Sequence, residues 1–83
     1  MEPRQKRLLF RCNHRGTKEN DILLGGFAAS HVNDLTDSQL VGLESMLDES
    51  DIDLYKWITG KEPVPQAHDH DLMAWLRKFN NCL

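Results

Sequence analysis

Two clusters in this chain hold residue types that could do chemistry. Near the N-terminus, Arg15-Gly16-Thr17-Lys18-Glu19 sets a guanidinium and a carboxylate on either side of a glycine. That combination suits contact rather than reaction. Glycine has no Cβ, so another backbone or side chain can approach its main chain closely, and a charge of each sign is at hand to orient what approaches. Arg15 and Glu19 are four apart and share a side if the following helix reaches back to Arg15. An exposed pair of this kind contributes about 0.3–0.5 kcal/mol, and Arg ahead of Glu is the weaker order in an isolated helix. Stability is thus a poor reason for the pair, although a tight turn accounts for the run as well. Near the C-terminus, His68-Asp69-His70-Asp71 offers imidazoles and carboxylates. Side chains one or two apart on a helix diverge, and two histidines without partners elsewhere fall short of a closed metal site. Asp69 reads more simply as a helix cap, with Asp71 favoured by the dipole of the first turn. No metal ligands are assigned.

The remaining polar residues do not assemble into a reactive set. There is no glycine-rich phosphate loop, nucleophile elbow or His/Cys/Asp constellation. Asp48, Glu49, Asp51 and Asp53 read as acids that keep helices soluble, not as an acid/base pair. His14 lies in a basic stretch, and His31 is placed to contact the last carbonyls of a helix. Tyr55, Trp57 and Trp75 read as core or core-edge residues. No catalytic residue is assigned, and the chain reads as a binding protein rather than an enzyme.

The elements that must position these residues are helices. Eighty-three residues make a single domain, 1–83, which buries only about 60% of the surface its unfolded chain exposes. A deep closed cavity is therefore not expected. Composition is 40% hydrophobic and 28% charged, with no apolar run near the length of a membrane span. The basic start is followed by only Leu8-Leu9-Phe10, too short for a signal peptide. Cys12 and Cys82 lack a CxxC spacing; a disulfide joining the terminal helices is the alternative, and reduced thiols of a cytosol-like compartment are the favoured reading. Net charge is −3, but residues 1–18 carry six bases against one acid, and residues 34–53 carry seven acids and no base. Such a charge separation orients a protein partner during encounter and speaks against nucleic acid.

No segment alternates long enough to be a strand, whereas helical spacing recurs throughout. Helix one is expected over residues 4–14, with Leu8, Leu9 and Cys12 on one face. Helix two begins around Thr17 and carries Ile22, Leu23, Leu24, Phe27 and Ala28, a surface wide enough to meet neighbours on more than one side. Gly25 and Gly26 within it each cost about 1 kcal/mol relative to Ala, which close helix packing or a kink would explain. Helix three starts at Thr36, where Thr36 and Gln39 fit a capping box, and points Leu40, Leu43, Met46 and Leu47 inward. Helix four is capped by Ser50 or Asp51, anchored by Leu54, Trp57 and Ile58, and ended by Gly60. Residues 62–65 form an extended connector because of Pro63 and Pro65. Helix five opens at His68 or Asp69 and buries Leu72, Met73, Trp75, Leu76 and Phe79. The expected architecture is all-α, a small compact five-helix bundle with antiparallel neighbours.

On these residues the chain resembles a known family. Arg7-Leu8-Leu9-Phe10, then Arg15-Gly16-Thr17-Lys18-Glu19-Asn20-Asp21, then Leu23, Leu24 and Phe27 look like the succinate dehydrogenase flavinylation factors, bacterial and mitochondrial. Leu35-Thr36, Leu40, Leu47, the run Asp51-Ile52-Asp53-Leu54-Tyr55-Lys56-Trp57-Ile58-Thr59-Gly60, and Pro63-Val64-Pro65 agree in order, so that the similarity covers about residues 7–79. The resemblance implies a five-helix fold. It also implies an assembly factor, chaperone-like, that helps attach FAD covalently to the flavoprotein subunit of succinate dehydrogenase, and in bacteria often of fumarate reductase. The partner-binding residues it implies are Arg15, Gly16 and Glu19, with the neighbouring Arg11, Lys18 and Asp21. Thr17 departs from the methionine common at that position. FAD would be the client's cofactor, with none held tightly by this chain, which is expected to be a monomer that does not insert into membrane. Its place would be the bacterial cytoplasm or the mitochondrial matrix. A general helical interaction module or antitoxin-like regulator remains the alternative from the residues alone.

Overall fold

The capping signals of the sequence begin helices close to where they were read. A computed structural model, which describes residues 2–81, contains α1 (Pro3–Asn13), α2 (Lys18–His31), α3 (Asp37–Leu47), α4 (Asp51–Ile58) and α5 (Asp71–Phe79). Short 3-10 turns lie at Val32–Asp34 and Gln66–His68, and there is no strand among the described residues. Cys82, read above as a free thiol, lies outside the described residues. Pro3 sits in the first turn of α1, where its missing N–H costs nothing. The Thr17 hydroxyl accepts from the Asn20 N–H to start α2, Thr36 and Gln39 form the expected reciprocal box at α3, and the Ser50 hydroxyl accepts from the Asp53 N–H to start α4.

Each helix turns one stripe inward. Leu8 and Cys12 of α1, Leu24, Phe27 and Ala28 of α2, Leu40, Leu43, Met46 and Leu47 of α3, Leu54, Trp57 and Ile58 of α4, and Leu72, Met73 and Leu76 of α5 form one continuous core. Gly25 is buried where α1 crosses α2. A Cβ there would collide with the Asn13 side-chain amide and lie 3.4 Å from the Cys12 carbonyl, so close packing explains this glycine. Gly26 is exposed, with Phe79 3.8 Å from where its Cβ would be, and packing does not require it. Ile22 also differs from expectation. It is 62% exposed, and Phe79, expected to be buried by helix five, is 38% exposed because it lies in the last turn, at the rim of the core.

α4 closes with a Schellman motif. Lys61 N–H donates to the Lys56 carbonyl at 2.8 Å and Gly60 N–H to the Trp57 carbonyl at 3.3 Å, with Gly60 at φ 79°, a conformation that favours glycine. Helix five starts later than the sequence suggests. His68 is only 3% exposed, held in the 3-10 turn by Glu49, whose Oε2 lies 2.7 Å from Nε2. The chain therefore cannot turn into a helix until His70, whose Nδ1 accepts from the Met73 N–H at 3.2 Å and replaces Asp69 as the cap. His31 likewise is not at the last carbonyls of α2. Its ring packs among Phe27, Trp75 and Phe79, with Nδ1 3.4 Å from Asp34 Oδ2.

Candidate functional site

The turn between α1 and α2 is bound to the turn between α3 and α4. Arg15 lies outside α2, so the four-residue pair with Glu19 does not form. Its Nε donates instead to Asp51 Oδ1 at 2.7 Å, and its two terminal nitrogens donate to the carbonyls of Leu47 and Glu49 at 2.8 and 3.1 Å. The Arg15 side chain is 12% exposed. The guanidinium thus satisfies a carbonyl that the last turn of α3 leaves without a partner, and the Asp51 carboxylate stands in the first turn of α4. Each charge sits at the helix end whose dipole favours it.

Asp51 is the hub of this arrangement. Its Oδ2 accepts from the Gly16 N–H at 2.8 Å and its Oδ1 from the Asn20 amide at 3.2 Å, while the same amide donates to the Asp51 backbone carbonyl at 2.8 Å. Burial pushes the Asp51 carboxyl up, but the Arg15 guanidinium, the Gly16 N–H and the Asn20 amide outweigh it and hold the group below its ordinary value. A Cβ on Gly16 would lie 2.8 Å from Asp51 Oδ2. The close approach that this glycine permits is therefore made by a carboxylate of the same chain. Asp21 completes the turn, its Oδ1 accepting from the Arg15 N–H at 2.6 Å.

The basic and acidic stretches meet each other in the same way. Arg4 pairs with Glu44 at 2.6 Å, Arg11 with Asp48 at 3.1 Å and Arg15 with Asp51 at 2.7 Å. The charge separation read from the sequence is spent in part on holding α1 and its following turn against α3 and α4. Asp48, Glu49 and Asp51 are thus structural partners as well as solubilising acids.

Of the six residues singled out for partner binding, Arg15 and Asp21 face inward, Arg11 is paired, and Gly16 backs onto Asp51. Lys18 and Glu19 are exposed and make no ion pair or hydrogen bond through their side chains among the described residues. Glu19 borders an open groove of about 400 Å³ lined by Thr17, Glu19, Asp51, Ile52, Tyr55, Lys56 and Lys61. Ile52 is 66% exposed. The Schellman turn carries Lys61 back so that its Nζ lies 5.6 Å from the centre of the Tyr55 ring. Sequence reasoning found Glu19 but missed this groove and the roles of Asp51 and Asn20. Asn20 is fully buried, yet nothing near it in the chain marks it as a cross-link to a residue 31 positions away. Groups of three or more potential metal ligands do not occur among the described residues.

Comparison with known proteins decides the lineage. The family model described as "Flavinator of succinate dehydrogenase" matches residues 6–80, which run from within α1 to the end of α5. The chain belongs to this family. It is 43% identical over 63 residues to the FAD assembly factor SdhE of Acetobacter pasteurianus, covering 76% of this chain and 58% of that protein. It is 37% identical over 73 residues to the mitochondrial succinate dehydrogenase assembly factor 2 of Dictyostelium discoideum, covering 88% and 52%. To the mitochondrial factor of the same name from Danio rerio it is 35% identical over 81 residues, covering 95% and 51%. The chain therefore spans about half the length of these relatives. Family members come from bacteria and from mitochondria, and the expected five-helix fold is the one observed. No helix among the described residues is long and apolar enough to cross a membrane.

Proposed function

We propose that this chain is an assembly factor that binds the flavoprotein subunit of succinate dehydrogenase and promotes covalent attachment of FAD to it. The observation that carries this reading is the flavinator family match over residues 6–80. The exposed, unpartnered Glu19 carboxylate beside an open groove supplies a place for the contact. Fumarate reductase flavoprotein is a second client of the same kind. The site of action is the bacterial cytoplasm or the mitochondrial matrix, where such clients are assembled.

The chemistry belongs to the client and its cofactor. The flavin 8α-methyl group loses a proton, a client histidine nitrogen attacks that carbon and gives up its own proton, and the isoalloxazine keeps the electron pair as reduced flavin. This chain contributes orientation of the client's residues, an effect that can be large when reacting groups are held close. Arg15, Gly16 and Asp51 act as a lock that fixes the start of α2. Glu19, with Lys18 and Thr17 beside it, then meets the client at a fixed position. Arg11 and Asp21 support the same surface through Asp48 and the Arg15 N–H.

The test is client flavinylation read as covalent flavin fluorescence, with Glu19→Ala and Gly16→Arg added in place of the natural chain. Glu19→Ala should stay fully helical by circular dichroism and lose most client binding. Normal flavinylation by both folded variants would sink the assignment.

A further inference from the structure

The groove beside Glu19 has a polarity of its own. Four charged residues line it: Glu19, Asp51, Lys56 and Lys61. Two of these are neutralised within the fold, Asp51 by Arg15 at 2.7 Å and Lys56 by Glu62 at 3.2 Å. Glu19 and Lys61 remain without an ion pair among the described residues. Glu19 stands in the first turn of α2, beside the N-terminus of α4, and Lys61 follows the C-terminus of α4. Between them lie Ile52, largely exposed, and Tyr55, one turn further along α4, whose hydroxyl makes no hydrogen bond among the described residues. The lining thus offers an acid at one end, the apolar Ile52 next to it, and beyond that the Tyr55 ring with the Lys61 ammonium 5.6 Å from its centre.

The α4 side of the groove is short. From Asp51 to Tyr55 or Lys56 the helix rises about 6–8 Å at 1.5 Å per residue, which an extended chain covers in about two to three residues at 3.3–3.6 Å each. A short extended segment matches that span and can present side chains of alternate direction to the lining. Interfaces favour opposite charges placed to fix register and an apolar anchor at the centre.

We infer that the groove receives one short extended segment of the flavoprotein client. This segment turns a lysine or arginine to Glu19, lays an apolar side chain on Ile52, and turns a carboxylate to the Lys61 ammonium beside the Tyr55 ring. The inference rests on the client-docking reading above and adds the chemistry of the segment that docks.

The experiment uses the full chain and the purified apo flavoprotein subunit. Affinity is measured for the natural chain, Lys61→Glu, Ile52→Ala, Glu19→Lys and the distant exposed control Ser30→Ala, each first shown to be folded. Lys61→Glu and Glu19→Lys should each weaken binding about tenfold and Ile52→Ala about fivefold, with the control unchanged. A photoreactive Ile52→p-benzoylphenylalanine variant should cross-link a client peptide in which an apolar residue is flanked within three positions by a base on one side and an acid on the other. If Lys61→Glu and Ile52→Ala bind as the natural chain does while Glu19→Lys fails, the inference is overturned and client docking stands. If Glu19→Lys also binds normally, both are overturned. A cross-linked peptide lacking either charge overturns the inference alone.

Discussion

Replacing Asp51 with alanine should unlock the turn that carries the family motif. The substitution removes the acceptor for the Arg15 Nε, the Gly16 N–H and one of two bonds from the Asn20 amide, at 2.7, 2.8 and 3.2 Å. Arg15 keeps its bonds to the Leu47 and Glu49 carbonyls, so its charge is half-satisfied rather than stranded. Hydrogen bonds to charged groups contribute about 1.5–3 kcal/mol each, and breaking a fully buried pair costs about 3–5 kcal/mol. The pair here is 12% and 22% exposed and Gly16 is open to water, so the expected loss is about 2–4 kcal/mol. A chain of this length has about 4–12 kcal/mol to lose, and Tm should fall by roughly 10–25 °C. Urea unfolding followed by helical circular dichroism measures the loss directly. The folded carboxyl lies below its ordinary value of 3.8, so its stabilisation is complete well above that value and fades as pH falls through the folded one. The gap between natural chain and variant should therefore be full at pH 7 and narrower at pH 3. A gap within about 0.5 kcal/mol at pH 7, or one that widens in acid, would refute the hub assignment.

Three further outcomes follow from other positions. Gly26→Ala should stabilise α2 by up to about 1 kcal/mol, because the new methyl meets only Phe79 at 3.8 Å; chemical denaturation checks it, and a loss would show that the backbone there is special. His68→Leu should lie within about 1 kcal/mol of the natural chain, whereas His68→Ala should cost about 2–3 kcal/mol through the cavity it leaves. The half-exposed Glu49 can turn to water, and leucine removes the buried Nδ1 that has no partner; equal losses would show that the imidazole–carboxylate bond matters more than the volume. Burial pushes the Cys12 thiol up to about 12. In a Cys82→Ser background the folded protein should not react with a thiol reagent at pH 8 and should yield one thiol on unfolding.

What was legible in the sequence was local. The Thr36–Gln39 box, the start of α2 around Thr17, a cap at Ser50 or Asp51 and the Gly60 stop are local signals, and the structure has the box, caps at Thr17 and Ser50 and the stop at Gly60. Most inward stripes followed from helical spacing, whereas Ile22 and Phe79 are exposed and Trp75 is only partly buried. Misreadings arose where a residue's partner lies far along the chain. His68 is drawn into a 3-10 turn by Glu49, 19 residues away, which moved the start of α5 and gave its cap to His70. Arg15 looked like one half of a pair with Glu19 because only the near carboxylate was visible, whereas the preferred acceptor is 36 residues on. No periodicity carries that information. It emerges only when α3 and α4 are packed, because their adjoining ends then present two carbonyls and a carboxylate to a single guanidinium.

That geometry divides the motif and supplies a last test. Arg15 and Gly16 face Asp51, whereas Glu19 faces solvent, so substitutions at the two ends should fail for different reasons. Gly16→Ala places a methyl 2.8 Å from Asp51 Oδ2, and the carboxylate must move while it is held by Arg15 and Asn20. A stability loss of about 1 kcal/mol or more is expected, with client binding weakened by the displaced α2 start. Glu19→Ala removes an exposed side chain with no partner among the described residues, and stability should change by less than about 0.5 kcal/mol while client binding falls. Urea unfolding and client affinity measured on the same two proteins separate the cases. If Gly16→Ala weakens binding without any loss of stability, the glycine touches the client directly and the lock is not its reason. If Glu19→Ala is as unstable as Gly16→Ala, the carboxylate is a structural group after all, and the contact surface must be sought elsewhere on the fold.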